Sequence, residues 1–435
     1  MRNQVLDREE INTNNLNNEY TPRKERKKKK SKFKKFLITL LILFIIGISS
    51  FAFLLYGPYP NFREWLITTA MTTMTHQYLA TWFYSDDTIQ EVLNKNRVAE
   101  SEETTDPTLT VIVDENKNVE YANEYEKAIL EKDPGNDDYK IINIEGKGYS
   151  GYLAAIYDPS RIKTVVTKKL GKCGQYLKTM ADDNDALLAI NGGGFIDPNY
   201  NSNGANPLGI TFSEGRLITS NVYSGAGGLI GFTNENKLVL GKMSVQEAKD
   251  MNVRDAVTFG PFLIVNGKAS EVLGNGGWGT APRTAIGQRK DGIVLFLVID
   301  GRTVKKPGAD MNDLIEIMQR YGAYNAANLD GGTSSVMYVD GKIINDPIDS
   351  TGAHKTRFIS TGFILTKKES SQNNNVNNTI TNNTSSSVNT TKSTNNTSSS
   401  STKLNSTNNT TTQRTTNKNT TTKKNTTKYK TNNKR

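Results

Sequence analysis

The sequence predicts an α/β fold of the α+β kind, a single mixed-sheet catalytic domain containing a βαβ unit, with a transmembrane helix before it and a disordered tail after it. Three observations carry this. Ile293-Val294-Leu295-Phe296-Leu297-Val298-Ile299 is an unbroken apolar run rich in β-branched residues, the pattern of a strand buried on both faces. Beyond the polar Asp300-Gly301-Arg302 loop, Asp310 opens a helix that places Met311, Leu314, Ile315, Met318 and Tyr321 on one face and closes at Gly322. A second strand then leads into Asn328-Leu329-Asp330-Gly331-Gly332-Thr333-Ser334. Short apolar runs punctuated by Gly, Asn and Asp recur from about Lys140 to residue 366, and the composition changes sharply on either side.

A strand, a crossover helix and a second strand imply two parallel strands. Asp300 and Asp330 then lie past the C-terminal ends of those strands, on one edge of the sheet, where open sheets containing parallel strands bind ligands. If the strands are neighbours, one ligand meets both carboxylates. A lone Asp-Gly is ordinary turn chemistry; two brought together by topology point to a site.

In chain order, residues 1–35 are a basic, cytoplasmic segment. Phe36 to Tyr56 is 21 residues without a charge, enough to span a bilayer as a helix. The lysines before it predict a cytoplasmic N-terminus and an exported remainder, and the length of the run favours an uncleaved anchor over a signal peptide. Residues 57–135 read as a membrane-proximal helical or spacer region. Phe62, Trp65, Leu66, Tyr78, Leu79, Trp82 and Phe83 recur at helical spacing, which suits an interfacial helix or one packed on the domain. Leu109 to Val113 reads as a small strand within the spacer.

Residues 136–366 form the folded domain. Strands are expected at Tyr152–Tyr157, Ala186–Ile190, Ala256–Phe259, Phe262–Val265 and Phe358–Leu365, and a helix over Gln175–Ala181. Hairpins are expected across Ser213-Glu214-Gly215 and Asp340-Gly341, and a turn at Asn266-Gly267. Residues 367–435 are almost only Asn, Thr, Ser and Lys; they cannot bury a core and are expected to be disordered.

Charge and residue usage exclude several functions. The chain is +10 overall; residues 1–35 carry +7 and residues 370–435 carry +10, which leaves −7 for the part between. A mildly acidic folded part argues against nucleic acid as a partner. The basic tail would bind a polyanion of the envelope or the membrane surface. Cys173 is the single cysteine, and His76 and His354 are the only histidines. An internal disulfide, a cysteine zinc site and a multi-histidine metal site are therefore ruled out. Acid–base chemistry falls on Asp, Glu, Lys or Tyr, or on His354.

Four loops could carry chemistry. Asn191-Gly192-Gly193-Gly194-Phe195 follows a buried strand, and its glycine amides would suit an anion-binding nest. Phe259-Gly260-Pro261 is the second. In Pro282-Arg283-Thr284-Ala285-Ile286-Gly287 an Arg is held stiffly between a Pro and a strand, ready to grip a phosphate or carboxylate. The fourth is the pair of aspartate loops. These motifs, in this order and with Arg357 just before the last strand, resemble the phosphodiester glycosidase family over roughly residues 140–366, and Asn328 to Ser335 is the most specific part. The bacterial relatives are often labelled exopolysaccharide-biosynthesis proteins.

The resemblance implies hydrolysis of a sugar-1-phosphodiester, here from a phospho-polysaccharide or teichoic acid of the cell envelope, by a single-pass membrane protein whose catalytic domain is extracellular. Asp330 is assigned to water activation or to stabilising an oxocarbenium-like centre, and Asp300 to sugar hydroxyls or a divalent cation, Ca or Mg. Arg283, Arg302 and the amides of Gly193 and Gly194 would hold the phosphate, with Thr333 and Ser334 on its oxygens and Asn191 and Asn328 orienting them. Phe195, Gly260, Gly331, Gly332 and Arg357 complete the expected binding set. No metal ligands are assigned. The rival readings are a non-catalytic binder of cell-wall sugar phosphates and a metal-dependent phosphodiesterase acting at phosphorus.

Overall fold

A computed structural model describes residues 28–73, 76–112, 121–196, 203–221 and 227–368. The tail expected to be disordered lies outside the described residues, apart from its first two positions. The fold is mixed α/β, mostly sheet. Seven strands form the central sheet in the order Lys268–Ala269, Phe262–Val265, Ala323–Leu329, Arg283–Arg289, Val294–Asp300, Tyr149–Ile156 and Tyr139–Gly146.

The strand Val294–Asp300 is buried on both faces, as its apolar run predicts. Val294, Phe296 and Val298 enter one core, with Leu188, Ile190, Ile230 and Phe363 from two five-stranded sheets. Leu295, Leu297 and Ile299 enter the other, with Leu314, Ile317 and Met318 of the helix Met311–Arg320. Asp310 caps that helix through a reciprocal box with Asp313, at 3.0 and 2.9 Å, and Gly322 follows it at φ +80°. Each layer therefore follows from sequence period: alternation in the strand, a single apolar face on the helix.

The βαβ unit is present, with one difference. Arg283–Arg289 pairs antiparallel with both Val294–Asp300 and Ala323–Leu329, so it stands between the two parallel strands. Their axes are thus roughly 10 Å apart, two strand spacings, and not neighbours. The expectation that adjacency brings the two carboxylates together is corrected. The Pro-Arg-Thr motif instead places its own strand between them, with Arg283 at the edge where Asp300 and Asp330 emerge.

The region before the domain is more integrated than a spacer. Arg97–Ala99 pairs antiparallel with Glu271–Leu273. Thr105 and Leu240 exchange hydrogen bonds at 3.0 and 2.9 Å, and the N–H of Val111 donates to the carbonyl of Lys290 at 2.8 Å. Ile129 is fully buried among the residues beneath the crossover helix. The strand expected over Leu109 to Val113 is not formed: Pro107–Leu109 is a 3-10 turn, residues 110–112 are irregular, and Val113 lies outside the described residues. The last strand is shorter than expected, Thr361–Thr366: Ile359 pairs instead with Gln175 in an isolated bridge, and the ring of Phe358 meets that of Tyr176 at 4.5 Å.

Further upstream, Lys28–Tyr56 is one helix, whose Lys32–Tyr56 portion is long and apolar enough to cross a membrane, with mean hydropathy 2.7. The helices Pro60–Met71, Tyr78–Thr81 and Asp86–Lys95 pack with the end of that helix around Leu55, Ile67, Tyr84 and Val92. The side chain of Asn275 donates to the hydroxyl of Thr68 at 3.0 Å and joins this helical cluster to the domain.

Ile129→Ala tests whether this region shares the domain's core. Truncating a fully buried Ile is expected to cost about 2–5 kcal/mol. Urea denaturation of the full chain reads it, and a loss near zero would show that residues 124–130 fold apart from the sheet.

Candidate active site

The site is built around Asn191, the last residue of the buried strand Ala186–Asn191. Its amide is almost wholly buried and makes three hydrogen bonds. The Nδ2 group donates to the carbonyl of Asp330 at 2.5 Å. The Oδ1 atom accepts from the hydroxyl of Thr284 at 2.7 Å and from the N–H of Val336 at 3.2 Å. The N–H of Asp330 donates to the carbonyl of Gly192 at 3.2 Å. The backbone of Asp330 is thus clamped from both sides, and one side chain joins the strand of Asn191, the central sheet and the 330–336 loop.

The carboxyl of Asp330 emerges from this clamp, partly buried. Burial pushes it above the ordinary carboxylate range, against the opposing pull of the Arg357 guanidinium. The guanidinium of Arg357 lies over the ring of Phe195 at 4.6 Å. Arg302, at φ +65°, donates through Nη1 to the hydroxyl of Thr333 at 2.6 Å and to the carbonyl of Ile348 at 2.7 Å. Arg302 also packs tightly on Gly332, where a Cβ would stand 2.9 Å from its Nη2. Burial lowers the affinity of Arg302 for its proton; Asp349 opposes this and Arg357 adds to it. Arg302, Arg357, Asp330, Thr333 and Ser334 are therefore one electrostatic group.

Asp300 is held separately. Its Oδ1 accepts from the Nδ2 of Asn345 at 2.9 Å and from the N–H of Asp346 at 3.0 Å. Burial raises its pKa against these two bonds. Asn345 also donates to the carbonyl of Ser335 at 3.0 Å, so it ties the two aspartate loops together across the intervening strand. His354 is exposed and meets the carboxylate of Asp346 at 2.7 Å. Nothing in the pattern around Ile344-Asn345-Asp346-Pro347 distinguishes Asn345 from an ordinary turn residue, so it escapes a reading of the sequence.

Several expected roles are corrected. The glycine run is not an open nest. The N–H groups of Gly192, Gly193 and Gly194 donate inward, to the carbonyl of Thr361 at 2.9 Å, the hydroxyl of Thr361 at 3.2 Å and the carbonyl of Thr258 at 3.3 Å. None of the three takes positive φ. They are glycines because the strands crowd them: a Cβ on Gly192 would stand 2.6 Å from the Thr361 hydroxyl, and one on Gly193 2.6 Å from the Thr258 carbonyl.

Arg283 does not present its guanidinium as an open fork. Its Nε donates to the carbonyl of Ala309 at 3.1 Å, and its Nη2 to the carbonyls of Trp278 and Gly279 at 2.7 and 2.6 Å. Burial lowers its pKa to about 10. It fastens loops behind the site. Asn328 donates to the carbonyl of Gly260 at 2.7 Å, across the Gly260-Pro261 cis bond, while its Oδ1 is buried without a partner among the described residues. Among the described residues, no three Asp, Glu, His or Cys side chains converge on a cation site.

The mixed sheet thus presents two acids and several arginines along one edge. Residues 184–366 match the family model for phosphodiester glycosidase, and the resemblance carried by the four motifs is borne out. The chain is 26% identical over 235 residues to N-acetylglucosamine-1-phosphodiester alpha-N-acetylglucosaminidase of Mus musculus, a match covering 48% of this chain and 43% of that protein. It is 30% identical over 180 residues to an uncharacterised SPbeta prophage-derived protein of Bacillus subtilis, covering 39% and 27%. It thus spans between about a quarter and under half the length of these relatives. Among solved structures, the zebrafish catalytic domain of the glucosaminidase, auto-inhibited by its pro-peptide, is similar at 22% identity and a TM-score of 0.45, covering 53% of this chain and 83% of that one.

Asp330→Asn is expected to raise the melting temperature near neutral pH. A carboxyl whose folded pKa is raised destabilises the fold once pH exceeds its unfolded value, and the neutral amide removes that cost. A gain of roughly 0.5–2 kcal/mol is the usual scale for relieving such a site. An unchanged or lower melting temperature would mean that Arg357 already compensates the charge.

Proposed function

We propose that this chain hydrolyses a sugar-1-phosphodiester, releasing free sugar and leaving the phosphate on its other partner. The observation that carries the reading is the grouping of Asp330 with Arg302, Arg357, Thr333 and Ser334 at the sheet edge. The Nη2 of Arg302 meets no acceptor among the described residues, and Arg302 lies with Arg357 beside the carboxyl of Asp330 and within the field of Asp349. That is the complement of a phosphodiester anion bonded to a sugar.

In the reaction, water attacks the anomeric carbon and gives its proton to the Asp330 carboxylate. The bond from the anomeric carbon to the phosphate oxygen breaks, and its electron pair leaves with the phosphate. Arg302 and Arg357 stabilise the phosphomonoester that forms, so little protonation of the leaving group is needed. Asn191 acts as a positioning residue through the carbonyl of Asp330, and Asn345 positions Asp300 near the sugar. The one helix among the described residues that is long and apolar enough to cross a membrane, with the helical cluster packed on its end, supports a membrane-anchored enzyme, and the envelope is then where its phosphate-linked glycan would lie.

The test is product analysis on UDP-GlcNAc and a set of sugar-1-phosphodiesters. Free sugar plus an intact phosphomonoester is expected, lost at least 100-fold in Asp330→Asn. Sugar-1-phosphate as product would move the cleavage to phosphorus, and binding without turnover would make the domain a binder.

The pH profile gives a second check. Because burial raises the Asp330 pKa, the active carboxylate is lost as pH falls through a value above about 4, the ordinary range. Arg357 lowers that pKa, so Arg357→Gln should move the acid limb of kcat/KM to higher pH. A limb that stays in place would remove Asp330 as the titrating group.

A further inference from the structure

The helices that follow the apolar span bury one set of side chains and leave a second, aromatic set uncovered. Pro60–Met71, Tyr78–Thr81 and Asp86–Lys95 bury Ile67, Ala70, Ala80, Ile89 and Val92 against one another and against Leu55 of the span. Outward, Trp82 is 73% exposed and Trp65 48%, and Tyr59, Tyr78 and Leu79 are exposed with them. The rings of Tyr78 and Trp82 lie 4.8 Å apart. From Tyr59 to Tyr84, Arg63 and Glu64 are the only Asp, Glu, Lys or Arg. Single exposed apolar residues are ordinary on a soluble surface, but two tryptophans, two tyrosines and a leucine on one small helical cluster mark an interaction site.

Contacts with the span set the depth of these rings. The ring of Phe83 meets that of Phe51 edge-on at 5.7 Å, and the Tyr56 hydroxyl donates to the carbonyl of Phe83 at 2.8 Å. The ring of Tyr59 meets that of Phe53 at 5.7 Å, and the Tyr84 hydroxyl donates to the carbonyl of Leu55 at 3.1 Å. As a helix, the uncharged run from Phe36 to Tyr56 is about 30 Å long, the thickness of a bilayer's hydrocarbon core. With Phe36 at one edge of that core, Tyr56 reaches the other, and Phe51 lies about 8 Å inside it. Phe83 and its neighbour Trp82 are thereby held at the boundary of headgroups and acyl chains, the depth at which interfacial helices seat their apolar face.

The charges come at the domain end of the cluster. Asp86, Asp87, Glu91 and Lys95 lie on the third helix. Just beyond it, the Oδ1 of Asn96 accepts from the N–H of Asn275 at 2.9 Å, and the side chain of Asn275 holds Thr68.

We propose that residues 59–84 form an interfacial foot, seated in the headgroup zone of the bilayer that the span crosses, with Trp82, Tyr78 and Leu79 as its anchor. The domain is then held to the membrane at two points, the span and this face. The inference rests on the membrane-anchored reading above. The partner is the lipid interface itself: tryptophan and tyrosine, apolar in body and polar at one end, suit a zone that is apolar on one side and wet on the other. With so few charges on the segment, the rings and not anionic headgroups supply the attraction. Continuity with the span favours lipid over a second copy of the chain, because a side chain fixed beside Phe51 is already at bilayer depth.

The test uses the full chain reconstituted in phosphatidylcholine liposomes whose acyl chains carry bromine near the headgroup or near the chain middle. Retention through an alkaline carbonate wash first reads the anchor. Tryptophan emission is then compared in the wild type and in Trp82→Phe. Bromine near the headgroup is expected to quench the wild type about 2-fold more than bromine at mid-chain, and Trp82→Phe is expected to lose most of that quenching. A chain washed from the liposomes overturns the anchor reading and this proposal with it. A retained chain that is not quenched, that is quenched best from mid-chain, or whose quenching Trp82→Phe leaves intact overturns the proposal alone. Emission that is unquenched yet shifts to the red as the chain is diluted in lipid gives the face to a second copy, which overturns it as well.

Discussion

The geometry of the site depends on one buried amide. Asn191 spends its side chain on three partners that belong to three parts of the fold: the carbonyl of Asp330, the hydroxyl of Thr284 in the central sheet, and the N–H of Val336. A buried donor or acceptor left unpaired costs roughly 1–3 kcal/mol, so such a set is either made completely or is a liability. Because these three bonds are made, the position of Asp330 is fixed by the packing of two sheets and not by loop preference. A loop of Asp, Gly, Gly, Thr and Ser would otherwise have little reason to hold one conformation.

The strand order imposes a second constraint. With Arg283–Arg289 inserted between the parallel strands, the two aspartate loops begin on strands two places apart. Two side-chain bridges link the loops again. Arg302 reaches Thr333 and Asn345 joins Asp300 to the carbonyl of Ser335. Neither bridge is a sheet contact, and both consist of polar groups with defined geometry. Arg283 occupies the intervening position and fastens the 278–279 loop and Ala309 behind the site. The residue that most resembles a phosphate clamp in sequence is thereby the one most committed to structure.

The contrast shows what a sequence of this kind reveals. The strand Val294–Asp300, the capped crossover helix and the parallel relation of its flanking strands were legible, because apolar period, an Asp cap and the right-handed crossover each act locally. The insertion of the 283–289 strand was not, since pairing order depends on which strands bury each other's faces. The glycine run was legible as a place of close approach, but not as to whether ligand or protein does the approaching; here Thr258 and Thr361 do. Asn345 carried no signal, for it gains its importance from a partner distant in the chain, Asp300. The segment from Arg97 to Leu130 looked like a linker because its charged composition hides the few contacts that bind it, among them Ile129.

The electrostatics of Asp330 connect structure to turnover. Burial raises its pKa and Arg357 lowers it, so the carboxyl stands between two opposed effects, of which burial is the larger. A phosphodiester placed against Arg302 and Arg357 brings its own negative charge. It screens the field that favours the carboxylate and excludes water that solvates it, and both changes push the carboxyl further toward its protonated form. Substrate binding would therefore make Asp330 a stronger base at the moment water must be activated. Cleavage reverses the bias only when the doubly charged phosphomonoester departs. On the proposed reading the arginines would do more than bind phosphate: they would couple occupancy of the anion position to the basicity of Asp330 beside it.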